Sequence, residues 1–190
     1  MSVAMDEWPR RHRITVEEYY RMAEVGLLAP DARVELIEGE IIDMPPIGSR
    51  HGASVDLLAQ RLILALRERA IVRVQGPVRL DNFSEPQPDL AVLTPRDDFY
   101  RQGHPSPKDT LLMIEVSDTT LRYDRHRKLP LYARHGIPEL WIVDTNAKQL
   151  NIFRGPSGST YIEAVTLGAP SIVSITSLPD VAIDLSALLG

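Results

Sequence analysis

Two carboxylates stand beside apolar runs: Asp89 in Gln87-Pro88-Asp89-Leu90-Ala91-Val92-Leu93, and Glu115 in Leu111-Leu112-Met113-Ile114-Glu115-Val116-Ser117. Lys128 follows thirteen residues after the second acid, in Asp124-Arg125-His126-Arg127-Lys128. Each apolar run reads as a buried strand, and an acid beside a core strand is costly to keep charged without a partner. If the two strands pair, the carboxylates come within a few ångströms of each other. Like charges about 4 Å apart repel by about 4 kcal/mol at an effective dielectric near 20. Either one acid takes a proton or a cation sits between them. A divalent metal removes the conflict, and the backbone carbonyl of Val116 offers a third oxygen. Such a metal polarises a phosphoryl oxygen and acidifies bound water. Lys128 would then orient the water or stabilise charge on the phosphorane oxygens. It falls in the first turns of the helix after Glu115, whose N-terminal dipole also suits phosphate.

The elements that must position these groups are legible from periodicity. Thr15-Val16-Glu17-Glu18 is a capping box, opening a helix that runs to about Val25 and stops at Gly26. Residues 34–42 mix acids with aliphatics around Gly39 and read as a strand pair or a bent strand. From His51 to Ala70, Val55, Leu58, Leu62 and Leu66 recur at helical spacing, with Leu57 and Ile63 widening the stripe. Residues 71–80 alternate and predict one strand. Residues 89–93 and 111–116 are short apolar strands, joined by a polar, proline-bearing surface loop over 96–109. A helix capped by Asp124 and ending near Gly136 follows, with Pro130 inside it predicting a kink or a late start. Residues 139–143 are a strand and 149–153 return antiparallel after a turn. Residues 161–167 and 171–175 are weaker strands.

Strand alternation puts Glu115 and Ser117 on one face and Ile114 and Val116 on the other. Asp89 begins its strand directly after Pro88, a residue suited to a strand's first position. The order is α/β with a mixed sheet.

The 190 residues fit one domain, with a core at about 51–153, an N-terminal helix and strand pair at 14–44 and C-terminal strands at 160–190. With no cysteine, neither a disulfide framework nor a cysteine–zinc site is possible. Any metal is held by carboxylate, histidine or carbonyl, which favours magnesium, manganese or calcium. Met1 to Trp8 lacks the apolar stretch of a signal peptide, and no run approaches a membrane span, so a cytoplasmic location is expected. The net charge of -5 argues against a simple nucleic-acid coat protein. Yet residues 119–135 carry Arg122, Arg125, Arg127, Lys128 and Arg134 against Asp124 alone, a net of +4. A basic helix on an acidic body can face phosphates, although a solvated helix face is the simpler reading of charge alone.

Pro88-Asp89 with Glu115-Val116-Ser117 resembles the PD-(D/E)XK nuclease superfamily. The wider string Glu35-Leu36-Ile37-Glu38-Gly39-Glu40, His51, Pro88 to Val92, Ile114 to Ser117 and Tyr123 to Asp144 is similar to the Uma family of putative restriction endonucleases. The likeness covers about Thr15 to Phe153. It implies a restriction-endonuclease-like core: one helix, three antiparallel strands, a second helix and a further strand parallel to its neighbour. The reading of residues 51–143 from periodicity has the same order. The resemblance implies a magnesium- or manganese-dependent endonuclease acting on DNA, with Asp89, Glu115 and Lys128 catalytic and Asp89, Glu115 and the Val116 carbonyl on the metal. The superfamily pattern has a lysine two residues after the glutamate, where this chain has Ser117. Some members supply the lysine from the following helix, in which Lys128 is the only lysine.

Each residue also has a plainer reading. Asp89 could cap a turn, Lys128 could be an exposed lysine, and Trp141 and Tyr132 are most simply core. Glu35 is a candidate auxiliary acid, although Gly39 leaves its face open. His51 is more often a capping or surface histidine, yet beside a phosphate an imidazole could shuttle protons. Arg125 and Arg127 are usually solvated; as phosphate clamps they would be bidentate. Two other functions compete: a non-catalytic binding or scaffold protein on the same fold, and a metal-free two-carboxylate glycosidase, which the basic helix disfavours. Cutting both strands of DNA calls for two sites, so a homodimer is expected.

Overall fold

The computed structural model describes residues 11–168 and 172–188. The N-terminal segment read above for a signal peptide and Ser171 of the last expected strand lie outside them. The chain divides into two compact units, residues 11–45 with 81–86, and residues 46–80 with 87 onward.

The first unit is built from local signals. Helix α1 (Val16–Glu24) starts at the expected capping box: the Glu18 N–H donates to the Thr15 hydroxyl at 3.2 Å, and the Thr15 N–H donates to the Glu18 carboxylate at 2.8 Å. Strands β1 (Val34–Ile37) and β2 (Glu40–Asp43) pair antiparallel, Ile37 opposite Glu40. Between them Glu38 and Gly39 have φ of 53° and 83°, so the expected strand pair closes in a two-residue turn. A Cβ on Gly39 would lie 2.6 Å from the Arg13 Cβ, which leaves glycine as the residue that fits. Segment 81–86 lies along the hairpin, with the Glu85 N–H donating to the Leu36 carbonyl at 2.8 Å.

The second unit carries a six-stranded sheet in the order β3-β4-β5-β6-β7-β8: β3 (Ile71–Val74), β4 (Leu90–Leu93), β5 (Thr110–Ser117), β6 (Glu139–Asp144), β7 (Gln149–Ser157) and β8 (Thr160–Leu167). Neighbours are antiparallel except β5 and β6, which run parallel. This is the expected mixed sheet. Helix α2 (Ser49–Leu66) buries Val55, Leu58, Leu62 and Leu66 against Leu90, Val92, Leu112, Ile114, Val116 and Trp141 on one face. The hairpin of β9 (Ile172–Ile175) and β10 (Leu178–Asp184) joins that layer.

The opposite face is covered by residues 121–134. These comprise α3 (Leu121–Tyr123), a π-turn (Asp124–Lys128) and α4 (Leu129–Arg134). Among the described residues no helix is long and apolar enough to cross a membrane.

Three expectations need correcting. The strand predicted over 71–80 ends at Val74, because Gln75 turns into the left-handed region at φ 46°. Ile63 does not widen the buried stripe but is exposed on the outer side of α2. Asp124 does not cap its helix. Its backbone is helical and its buried side chain turns to the sheet. Pro130 is accommodated by the π-turn, in which the Leu129 N–H bonds the Asp124 carbonyl five residues back. Proline has no N–H and its ring crowds the carbonyl four residues earlier; the wider turn absorbs both defects.

Candidate active site

The site is assembled where β4 begins and β5 ends. Leu90 pairs with Ile114, so Asp89 stands just before β4 at the level of Glu115. Its Oδ2 accepts the Val116 N–H at 2.8 Å. One acid is thus bonded to the residue next to the other. Val116 donates toward Asp89, and the N–H and C=O of one strand residue point to the same side. The Val116 carbonyl therefore lies on the same strand edge, beyond the last paired residue of β4.

Asp89 has two further donors. The His51 Nε2, in the first turn of α2, lies 2.9 Å from Oδ1, and the Gln75 Nε2 donates to the same oxygen at 3.4 Å. Gln75 also gives its backbone N–H to the Asp89 carbonyl at 2.9 Å, so the left-handed turn that ends β3 clasps the acid on two sides.

Glu115 points to the other face, as alternation requires when Ile114 and Val116 pack on α2. There it meets Lys128, whose Nζ is 3.2 Å from Oε1 and 3.3 Å from Oε2. The Tyr132 hydroxyl donates to Oε1 at 2.5 Å. Lys128 and Tyr132 are four apart on one helix, which puts both on the same face. All three side chains are buried, Lys128 at 4 % exposure and Glu115 at 3 %. Ser117, on the same strand face, donates to Asp124 Oδ2 at 2.8 Å, and Thr120 donates to the same oxygen at 2.7 Å. Burial pushes the Asp124 carboxyl above the ordinary aspartate range and nearby Asp89 adds to that, while Lys128, Thr120 and Ser117 oppose it.

The remaining expected residues are dispersed. Glu35 is buried in β1, in the first unit. Exposed Arg125 donates to Asn151 of β7 at 3.0 Å, and Arg127 is half-buried. Sequence reasoning missed Gln75, Asp124 and the hydroxyl of Tyr132. For Tyr132 a signal existed in its spacing of four from Lys128. For Gln75 there was none, since its role depends on a left-handed backbone that glutamine does not advertise.

Among the described residues no group of three or more histidine, aspartate or glutamate side chains is gathered as a metal cage. Two carboxylates and a backbone carbonyl match the sparse protein shell of magnesium, which keeps several waters and takes one or two carboxylates. All three are oxygen donors, the type that magnesium and manganese take.

The sequence over residues 16–186 matches the Uma2 family, described as "Putative restriction endonuclease". A solved structure described as a putative nuclease belonging to DUF820 from Anabaena variabilis ATCC 29413 is similar to this chain with a TM-score of 0.69. It is 16% identical, over 93% of this chain and 97% of that one. At that identity the likeness shows a shared fold. No curated protein matches the chain.

Proposed function

The chain belongs to the Uma2 family, matched over residues 16–186, and from that premise we propose that it is a metal-dependent DNA endonuclease. The observation that carries this reading is the buried Glu115, which meets Lys128 at 3.2 Å while the N–H of the next residue is held by Asp89 at 2.8 Å. Asp89 thus bonds the peptide that follows Glu115, and Lys128 bonds the Glu115 side chain. Asp89, Glu115 and the Val116 carbonyl would hold Mg2+ or Mn2+. When bound, the ion supplies a more acidic water and a polarised phosphoryl oxygen.

The chain's own groups do the rest. Lys128 offers N–H donors to the phosphate oxygens as charge builds there, in a buried setting where such donors act strongly. Tyr132 fixes one oxygen of Glu115, and His51 and Gln75 fix Oδ1 of Asp89, so both acids are oriented before substrate arrives. The arginines of 121–134, Arg125 and Arg127 among them, are candidates to contact flanking phosphates. Double-strand cutting in this reading uses a homodimer, and the protein acts in the cytoplasm.

A second reading, a non-catalytic binding module, is favoured by one feature: Glu115 already has Lys128 and Tyr132 as partners without any metal. One experiment separates the two. Plasmid and single-stranded DNA are incubated with purified protein and Mg2+ or Mn2+, alongside calorimetric metal titration. The wild type is expected to take up metal and cleave. Glu115→Gln and Asp89→Asn are expected to lose at least about 100-fold in rate and most of the metal heat, with melting temperatures that show folded protein. A wild type that takes up no metal and leaves both DNAs intact would sink the endonuclease reading in favour of the binding module.

A further inference from the structure

We infer that Ser117 and Asp124 form a tether that positions Lys128, an inference that rests on the reading of Glu115 and Lys128 as the working pair. Ser117 stands two residues after Glu115 on the same face of β5, and it is fully buried. It donates its hydroxyl to Asp124 at 2.8 Å. Thr120 donates to the same oxygen at 2.7 Å, one turn before Asp124. The Asp124 carbonyl accepts the Leu129 N–H and so closes the π-turn that ends at Lys128. One residue thus has its side chain pinned to the strand and its backbone closing the turn that delivers the lysine. The path runs from Ser117 through Asp124 and the π-turn to Lys128, and back across 3.2 Å to Glu115.

The phase of the helix explains why this matters. One extra residue in a helix rotates all that follows by about 100°. Lys128 and Tyr132 both reach Glu115 only at one rotation of α4, and Asp124 is the upstream anchor from which that rotation is measured. Ordinary capping does not account for Asp124. Its φ of -61° and ψ of -41° are helical, and its acceptor oxygen is taken by two hydroxyls. Asp124 and Ser117 are positioning residues, and the serine replaces a direct lysine at its own position by holding a lysine that comes from the helix.

The chain has three lysines: exposed Lys108 and Lys148, and buried Lys128. Labelling with a water-soluble amine reagent, read by peptide mass spectrometry, therefore carries two internal controls. In the wild type Lys128 reacts slowly. Ser117→Ala and Asp124→Ala are expected to raise its rate about tenfold with Lys108 and Lys148 unchanged. Ser117→Thr, which keeps the hydroxyl, is expected to restore protection. Ile152→Val, in the core on the opposite sheet face, serves as a control of similarly small destabilisation in which Lys128 stays protected. If Asp124→Ala fails to fold, Ser117→Ala and its threonine rescue decide alone. Unchanged Lys128 protection in folded Ser117→Ala, or the same exposure in the matched control, overturns the tether.

A second arm uses plasmid cleavage. Ser117→Ala should lower kcat about tenfold at unchanged KM, and should add nothing to Lys128→Gln, whereas full additivity overturns the inference. Should the wild type cleave no DNA, the nuclease reading fails while the labelling arm still tests the tether.

Discussion

Glu115 is tolerated in the interior because the Lys128 ammonium and the Tyr132 hydroxyl occupy both its oxygens. A buried pair of this kind is costly to break from one side, since the remaining charge has no water to return to. Without added metal, Lys128→Met should cost about 3–5 kcal/mol by denaturant unfolding. The double variant Lys128→Met with Glu115→Gln should recover much of that loss. Equal losses in single and double variants would show that the two groups do not depend on each other. Asp124 makes a separate statement in its pH dependence. Burial raises its carboxyl above the ordinary range, so the folded state holds that proton more tightly than the unfolded chain does. This contribution to stability is present in full below the unfolded aspartate value of about 3.9 and is lost as pH rises through the higher folded value. Asp124→Asn carries no such term. Its melting temperature should therefore gain on the wild type as pH rises from about 3.9 toward neutrality, and a gap that moves the other way would contradict the assignment. Asp89 and Glu115 could be picked out in the sequence because one opens an apolar run and the other breaks one, and Lys128 because it is the only lysine of the helix that follows. Ser117 stood out only by occupying the motif lysine's place and Tyr132 only by its spacing of four from Lys128, whereas nothing in the local sequence distinguishes Gln75 from an ordinary turn residue.

At the scale of elements, local signals with short reach were readable and the others were not. The capping box at Thr15, the turn at Gly39 and the stripe of α2 are all written within four residues of one another. The π-turn is different. Pro130 predicts a disturbance but not whether the chain kinks, starts late or widens a turn, and packing against β5 chose the last. A buried acid that does no chemistry in the proposed reaction holds the opposite side of the sheet together. Glu139 of β6 accepts the Trp141 indole N–H at 2.6 Å and the Thr176 N–H at 2.7 Å, and it pairs with Arg154 at 3.2 Å. It thereby ties the turn between β9 and β10 to the central strands. Glu139→Ala strands the Trp141 and Thr176 donors and removes one of several partners of Arg154, and should cost about 2–5 kcal/mol. Amide exchange over residues 172–184 should accelerate well beyond that of β4 and β5. Exchange that rises uniformly across the sheet would mean that the hairpin does not depend on this acid.

For the whole molecule, the charge pattern bears on the proposed partner. A body of net charge -5 carries a +4 stretch over 119–135 that holds both the lysine and the candidate phosphate contacts. DNA binding through that stretch should weaken steeply with salt. Replacing both Arg125 and Arg127 with alanine should reduce the log–log slope by about 2 if each meets one phosphate. A slope that these changes leave untouched would remove the 121–134 helix from the DNA interface. What the sequence determined unaided was the kind of most elements and, within the regular ones, the face most residues take, the stretch after Val74 and the side of Ile63 excepted. Alternation and helical repeat are properties of the chain itself, and they sufficed for the mixed sheet and for singling out the candidate acids, while the parallel pair was implied only by the family resemblance. Which donor answers which acid was decided only by tertiary structure. His51 and Asp89 are 38 residues apart, and Val116 and Asp89 are 27 apart. A hydrogen bond forms or fails within a few tenths of an ångström, whereas periodicity specifies a face and no distance along it. Strand register and helix rotation supply that distance, and both are settled by packing across the whole sheet.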